Sequence, residues 1–143
     1  MTPAEVVAAA RLAIETPFRH QGRTVGSALD CAGLLAYTCA ALGQPVVDQD
    51  GYGKRPSGGL LEAALDAQSV IIRVRGKPQA GDLVLMKFED DKYPSHLGIV
   101  AGRTMIHAWA VARKVCEHDF DAEWQRRVVR VYRFKEIEVG DGE

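Results

Sequence analysis

Ser95-His96-Leu97-Gly98-Ile99-Val100-Ala101-Gly102-Arg103-Thr104-Met105-Ile106-His107-Ala108-Trp109 reads as two strands joined by the shortest of turns. Apolar runs flank Gly102-Arg103, and glycine at the first central position marks a two-residue type II′ hairpin. Such a turn fixes the register. Ala101 pairs with Thr104, Gly98 falls opposite His107, and His96 falls opposite Trp109. Side chains alternate along a strand, so His96, Gly98 and His107 share one face. His96 and His107 become diagonal neighbours, roughly 7–8 Å apart at their α-carbons and within ring-to-ring hydrogen-bonding reach. Gly98 leaves a gap beside both rings, and a helix end is expected to press into it.

The helix that could do so starts at Asp30-Cys31. Ser27-Ala28-Leu29-Asp30-Cys31-Ala32-Gly33-Leu34-Leu35 runs from a turn into an apolar helical pattern carrying Leu34, Leu35 and Thr38 inward and stopping at Gly43. A thiol at a helix start lies in the field that favours its thiolate. A histidine brought to it, with a second group to orient that histidine, completes a cysteine-hydrolase site. Here His96 takes the thiol proton, giving a thiolate–imidazolium pair, and later protonates the leaving amine. Neutral His107 orients His96, and the Cys31 backbone N–H donates to the oxyanion.

Around this pair the chain reads as helices first, then adjacent strands. Thr2 caps a helix with Pro3 at its first position and Glu5 as the capping acid, running to about Ile14. Residues 16–23 form a loop, residues 43–59 a turn-rich surface stretch, and residues 60–65 a short third helix. Strands follow near 83–88, 96–101, 104–109, 111–116 and 128–134, the first apolar on both faces and so inside the sheet. The class is α+β, with helices packed on one face of an antiparallel sheet. No linker or repeat interrupts residues 1–143, which are read as one domain.

Composition narrows the function classes. Of 143 residues 47% are hydrophobic and 26% charged, with a formal net charge of −1. That balance suits a soluble globular domain and argues against a nucleic-acid groove. Arg126, Arg127, Arg130, Arg133 and Lys135 cluster near the C-terminus, read as a solvated edge strand and its flank. No apolar run is long enough for a membrane span, and the N-terminus lacks a signal-peptide pattern. Synthesis in the cytoplasm is the expectation. Cys39 and Cys116 read as packing residues, His118 as part of a polar connection, and Trp109 and Trp124 as core or groove walls. Zinc on Cys31, His96 and His107 is disfavoured, because no paired C-x-x-C or H-x-x-x-H element accompanies them. No metal or organic cofactor is expected.

Asp30-Cys31-x-Gly33-Leu34, Pro78-x-x-Gly81-Asp82-Leu83-Val84, Ser95-His96-x-Gly98-Ile99 and Met105-Ile106-His107-Ala108 together resemble the motifs of the NlpC/P60 cysteine peptidases, in order and spacing. The resemblance implies a papain-like fold, with Cys31 as nucleophile, His96 as base and His107 as third residue. It implies a bacterial peptidoglycan stem peptide as substrate, commonly cut after D-γ-glutamate and before a diamino acid. Asp30 and Ser95 match positions that contact the substrate's amino end. The segments 16–23 and 51–56 further resemble a branch encoded with tail genes of bacteriophages and gene-transfer agents, which implies tail hub or tip proteins as partners and delivery by the particle. Many members carry tyrosine where this chain has Phe18, its hydroxyl close to the catalytic centre. Either His20 substitutes as a substrate contact or the hydroxyl is dispensable. Two other readings stand beside the peptidase: a structural tail-tip protein of reduced activity, and an amidase or acyltransferase acting on another substrate.

Overall fold

The computed structural model describes residues 1–46 and 59–137; the 51–56 segment and most of the expected turn-rich stretch lie outside the described residues. The first helix, α1 (Pro3–Arg11), starts as its cap predicts, the Thr2 hydroxyl oxygen accepting the Glu5 N–H at 3.2 Å. It stops short of Ile14. Glu15 turns to φ 76° and gives its N–H to the Val115 carbonyl at 2.9 Å, tying the chain to the sheet. Two short paired strands, β1 (Arg23–Thr24) and β2 (Ala28–Leu29), lead into α2 (Cys31–Ala41). After α2, Gly43 takes φ 69°, the left-handed ending that favours glycine. Then come α3 (Leu60–Asp66), β3 (Ile71–Val74), β4 (Leu83–Met86), β5 (His96–Val100), β6 (Thr104–Trp109), β7 (Lys114–Asp119), α4 (Ala122–Arg127) and β8 (Val128–Phe134).

β3 to β8 form one sheet in the order β3-β8-β4-β5-β6-β7, every pairing antiparallel. β4 sits inside it, as its two apolar faces predict, with all four residues buried. The β5–β6 turn is the one expected. Gly102 has φ 99°, Ala101 N–H reaches the Thr104 carbonyl at 2.8 Å, and Ile99 pairs with Ile106. The motif around Gly81-Asp82 fixes the neighbouring strands. Asp82 is wholly buried, and its two oxygens accept a fork from Arg133 at 2.8 and 2.9 Å.

Several expectations need correction. β3 and α4 were not foreseen. β7 begins later than residue 111, because residues 110–113 turn, with Arg113 at φ 63°. That shift brings His118 into a strand rather than a polar connection. β8 lies between β3 and β4, so the basic cluster is not on an edge strand.

Helices do not occupy one face alone. On the side of α1, α2 and α3, the core gathers Leu34, Leu35, Leu83, Leu85, Leu97, Ile99, Ile106 and Ala108. Full burial of each large aliphatic stabilises the fold by about 1.5–3 kcal/mol. On the other side α4 brings Trp124 against Val84, Met86, Val100, Met105 and Phe120. Gly98 faces this second side. A Cβ there would meet the Met105 methyl at 2.9 Å and the Met86 methyl at 3.2 Å, so methionines fill the expected gap, not a helix end.

Candidate active site

Asp30 organises the start of α2. Its Oδ1 accepts the Gly33 N–H at 2.8 Å and a guanidinium N–H of Arg23 at 2.8 Å, while Oδ2 accepts the Gln21 N–H at 2.8 Å. The carboxylate is 4% exposed, so it serves as helix cap, ion-pair partner and loop anchor at once. Gly33 lies so close to the Gly22 carbonyl oxygen that any side chain there would collide with it. The loop from Gly22 and the helix start are pressed together, and Cys31 is held at their junction.

The sulfur of Cys31 meets the sheet where β5 and β6 part. Pairing between these strands runs over Val100–Met105 and Ile99–Ile106 and stops there among the described residues. Leu97, two residues before Ile99, also turns its backbone toward the β6 side, because such groups alternate along a strand. Its N–H, like that of Ala32, lies near enough to the Cys31 sulfur to favour the thiolate. The thiol is thus set beside the backbone of the residue that follows His96. Both residues line one cavity of about 380 Å³.

Phe18, His20, Asp30 and Ser95 line the same cavity, so six of the seven candidate residues converge on it. The seventh, His107, stands behind His96. His96 Nε2 and His107 Nδ1 are 2.6 Å apart, with the rings edge to face at 4.9 Å between centroids. The two imidazoles therefore share a face, as the hairpin register requires. Ser95 donates its hydroxyl to Asp91 at 2.6 Å. Phe18 is anchored through its N–H to the Arg113 carbonyl at 2.8 Å and brings only a hydrocarbon ring to the cavity.

Burial decides the charge states. It pushes the Cys31 thiol up to about 12, with the Asp30 charge adding to the rise; the N–H groups of Leu97 and Ala32, then Arg23, pull the other way. Burial lowers His96 to about 4, opposed by Asp91 and aided by Arg127. It lowers His107 to about 2, aided by His96 and His118. Burial thus disfavours both the thiolate and the imidazolium, while the nearby N–H groups and Arg23 favour the thiolate.

Two residues of this region were missed in the sequence. His118 Nε2 lies 2.7 Å from His107 Nε2, and its Nδ1 lies 2.9 Å from the Asp119 carbonyl oxygen. The alternation of Thr104, Ile106 and Ala108 inward against Met105 and His107 outward would have found it, had β7 been extended to Asp119. Arg127, read as part of a solvated cluster, lines the cavity with its guanidinium 4.4 Å from the Trp124 ring centre and 5.2 Å from that of Phe88. His107, Cys116 and His118 also bring ligand-type atoms within 4.8 Å of one another. Two nitrogens on one tetrahedral zinc stand about 3.3 Å apart. The 2.7 Å spacing of His107 and His118 is that of a shared proton.

The NlpC/P60 family model matches residues 15–133. Among solved structures, the chain is similar to a lipoprotein-like NLP/P60 family protein of Staphylococcus aureus, at 18% identity and TM-score 0.64, over 96% of this chain and 42% of that one. It is similar to the NlpC/p60 domain of peptidoglycan hydrolase SagA at 22% identity and TM-score 0.61, over 92% and 97%. Peptidoglycan hydrolase RipB of Mycobacterium tuberculosis aligns at 17% identity and TM-score 0.60, over 96% and 65%. The chain spans about two fifths of the length of the staphylococcal protein. Identities this low establish a shared α+β papain-like fold. Curated proteins give no significant match.

Proposed function

The chain belongs to the NlpC/P60 family, and from that premise we propose that it is a cysteine endopeptidase of peptidoglycan stem peptides, cutting the D-γ-glutamyl–diamino acid bond through a thioester. The observation that carries this reading is the convergence of Cys31 and His96 on one cavity, with His107 hydrogen-bonded behind His96. The cavity's apolar and aromatic lining suits a peptide in extended form.

In this mechanism a bound peptide carbonyl sits against the start of α2. His96 Nδ1 takes the thiol proton, and the sulfur attacks the carbonyl carbon to form the C–S bond. The Cys31 N–H, unused by the helix, stabilises the oxyanion. Collapse expels the amine, which takes the proton from His96, and water activated by the same nitrogen hydrolyses the thioester. Asp30 and Ser95 lie toward the substrate's amino end, Asp30 shaping that rim through its bonds to Gly33, Arg23 and Gln21. Phe18 and His20 line that side of the cleft. His107 keeps the His96 ring in line.

Incubating the protein with a defined stem tetrapeptide and reading product masses tests the assignment. Cleavage at the predicted bond is expected, and Cys31→Ala should lower it by about 10⁴-fold or more. Turnover retained in Cys31→Ala would overturn the mechanism. Masses reporting another bond would redirect the substrate class. We also propose delivery with a phage-like tail, on the resemblance of residues 16–23 and 51–56. Co-purification with tail hub proteins tests that separately.

A further inference from the structure

We infer that His118, backed by the Asp119 carbonyl, is a positioning residue that sets which nitrogen carries the proton on His107 and His96, leaving Nδ1 of His96 as the bare base. The inference rests on the role of His96 proposed above, but its geometry is independent of any substrate.

Proton counting sets the direction of this string of hydrogen bonds. A backbone carbonyl can only accept, so at 2.9 Å the Asp119 oxygen requires a proton on His118 Nδ1. With His118 singly protonated, that proton is its only N–H, and its Nε2 is then an acceptor. The 2.7 Å contact must therefore be donated by His107 Nε2. That uses the single proton of His107, and its Nδ1 becomes an acceptor. The 2.6 Å contact is in turn donated by His96 Nε2. Three rings, three protons and three hydrogen bonds close the account, and one lone pair is left over, on His96 Nδ1. In the opposite direction the string would end with a ring nitrogen's lone pair facing the lone pairs of the Asp119 oxygen.

Packing keeps the rings from turning out of this order. His107 is wholly buried and stacks on Trp109 at 5.3 Å between centroids, with Trp124 against its edge at 5.0 Å. Trp124 also lies 4.9 Å from the His118 ring. Burial disfavours the charged forms of His96 and His107, two of the three rings that the count takes as singly protonated. The tautomer of the base is thus fixed from a carbonyl three hydrogen bonds away.

Nitrogen-15 NMR of the histidine-labelled protein at neutral pH reads the tautomers directly. The expected spectrum shows His96 protonated at Nε2 and bare at Nδ1. His118→Phe removes the acceptor for His107; His96 should shift to a tautomer mixture, with kcat falling by about ten- to a hundredfold and KM changing less than about twofold. His118→Gln, whose side-chain oxygen reaches where Nε2 was, should restore the wild-type spectrum and most of kcat. A wild-type His96 protonated at Nδ1 overturns the inference, as does a folded His118→Phe with unchanged spectrum and kcat, or a Gln variant no better than Phe. If His118→Phe does not fold, the wild-type and Gln spectra still decide. If no peptide is cleaved, the spectra stand alone, and the proposed function rather than the string has failed.

Discussion

Toward α1 and α2, β5 and β6 present Leu97, Ile99, Ile106 and Ala108, each at most 1% exposed; on the other side the same strands present His96, Gly98, Val100, Met105, His107 and Trp109. The aliphatic side interlocks by shape and needs no partner beyond close contact. The imidazole side is buried nearly as deeply, but it is stable only because each ring finds a hydrogen bond. Two kinds of interior therefore lie back to back across one layer of backbone. The sulfur joins them, reaching in where β5 and β6 part. The comparison teaches that one side sets how firmly the molecule folds, and the other sets what it can do once folded.

The heaviest test of that division is on the aliphatic side. Ile106→Ala should cost about 3–4 kcal/mol in chemical denaturation, while kcat/KM of the folded fraction stays within a few-fold. Comparable losses in both would blur the distinction. Acid is expected to act on the imidazole side with nearly equal weight. His96 ionises near 6.5 when unfolded and near 4 when folded, so its neutral, buried state contributes stability that is complete above about pH 6.5. That stability, about 3 kcal/mol, is lost as pH falls toward 4, because the unfolded chain binds the extra proton first. Denaturation midpoints measured between pH 7 and 4 check it; a flat profile would count against buried neutral imidazoles. His107→Leu, an apolar ring-sized replacement, should lower kcat about a hundredfold by freeing His96 to turn. Activity near wild type in that variant would mean that His96 needs no support. Gly98→Ala should do least, about 1 kcal/mol or less, since the atoms it meets are the yielding methyls of Met86 and Met105.

Much of the candidate site's geometry was legible because a two-residue turn converts sequence position into register. Once Gly102-Arg103 was placed, alternation put His96 and His107 on one face without any knowledge of the rest of the sheet. Cys31 was legible from Asp30, whose capping role marks where a helix begins. The remaining parts lacked such markers. β3 is a four-residue strand with Ile72 half-exposed and no alternation, and α4 is too short to show a stripe. β7 was placed too early because Arg113 adopts a left-handed conformation that sequence assigns to glycine. That one displacement concealed His118. The faces were misjudged for a different reason: alternation tells which residues lie together, not which helix covers them.

The Asp30 carboxylate binds the amides of Gln21 and Gly33 at equal distances of 2.8 Å, one on the loop and one on the helix. In hydrogen–deuterium exchange both amides owe protection to the same side chain, so Asp30→Ala should speed exchange at both. One buried carboxylate thus clasps loop and helix together at this rim of the cleft.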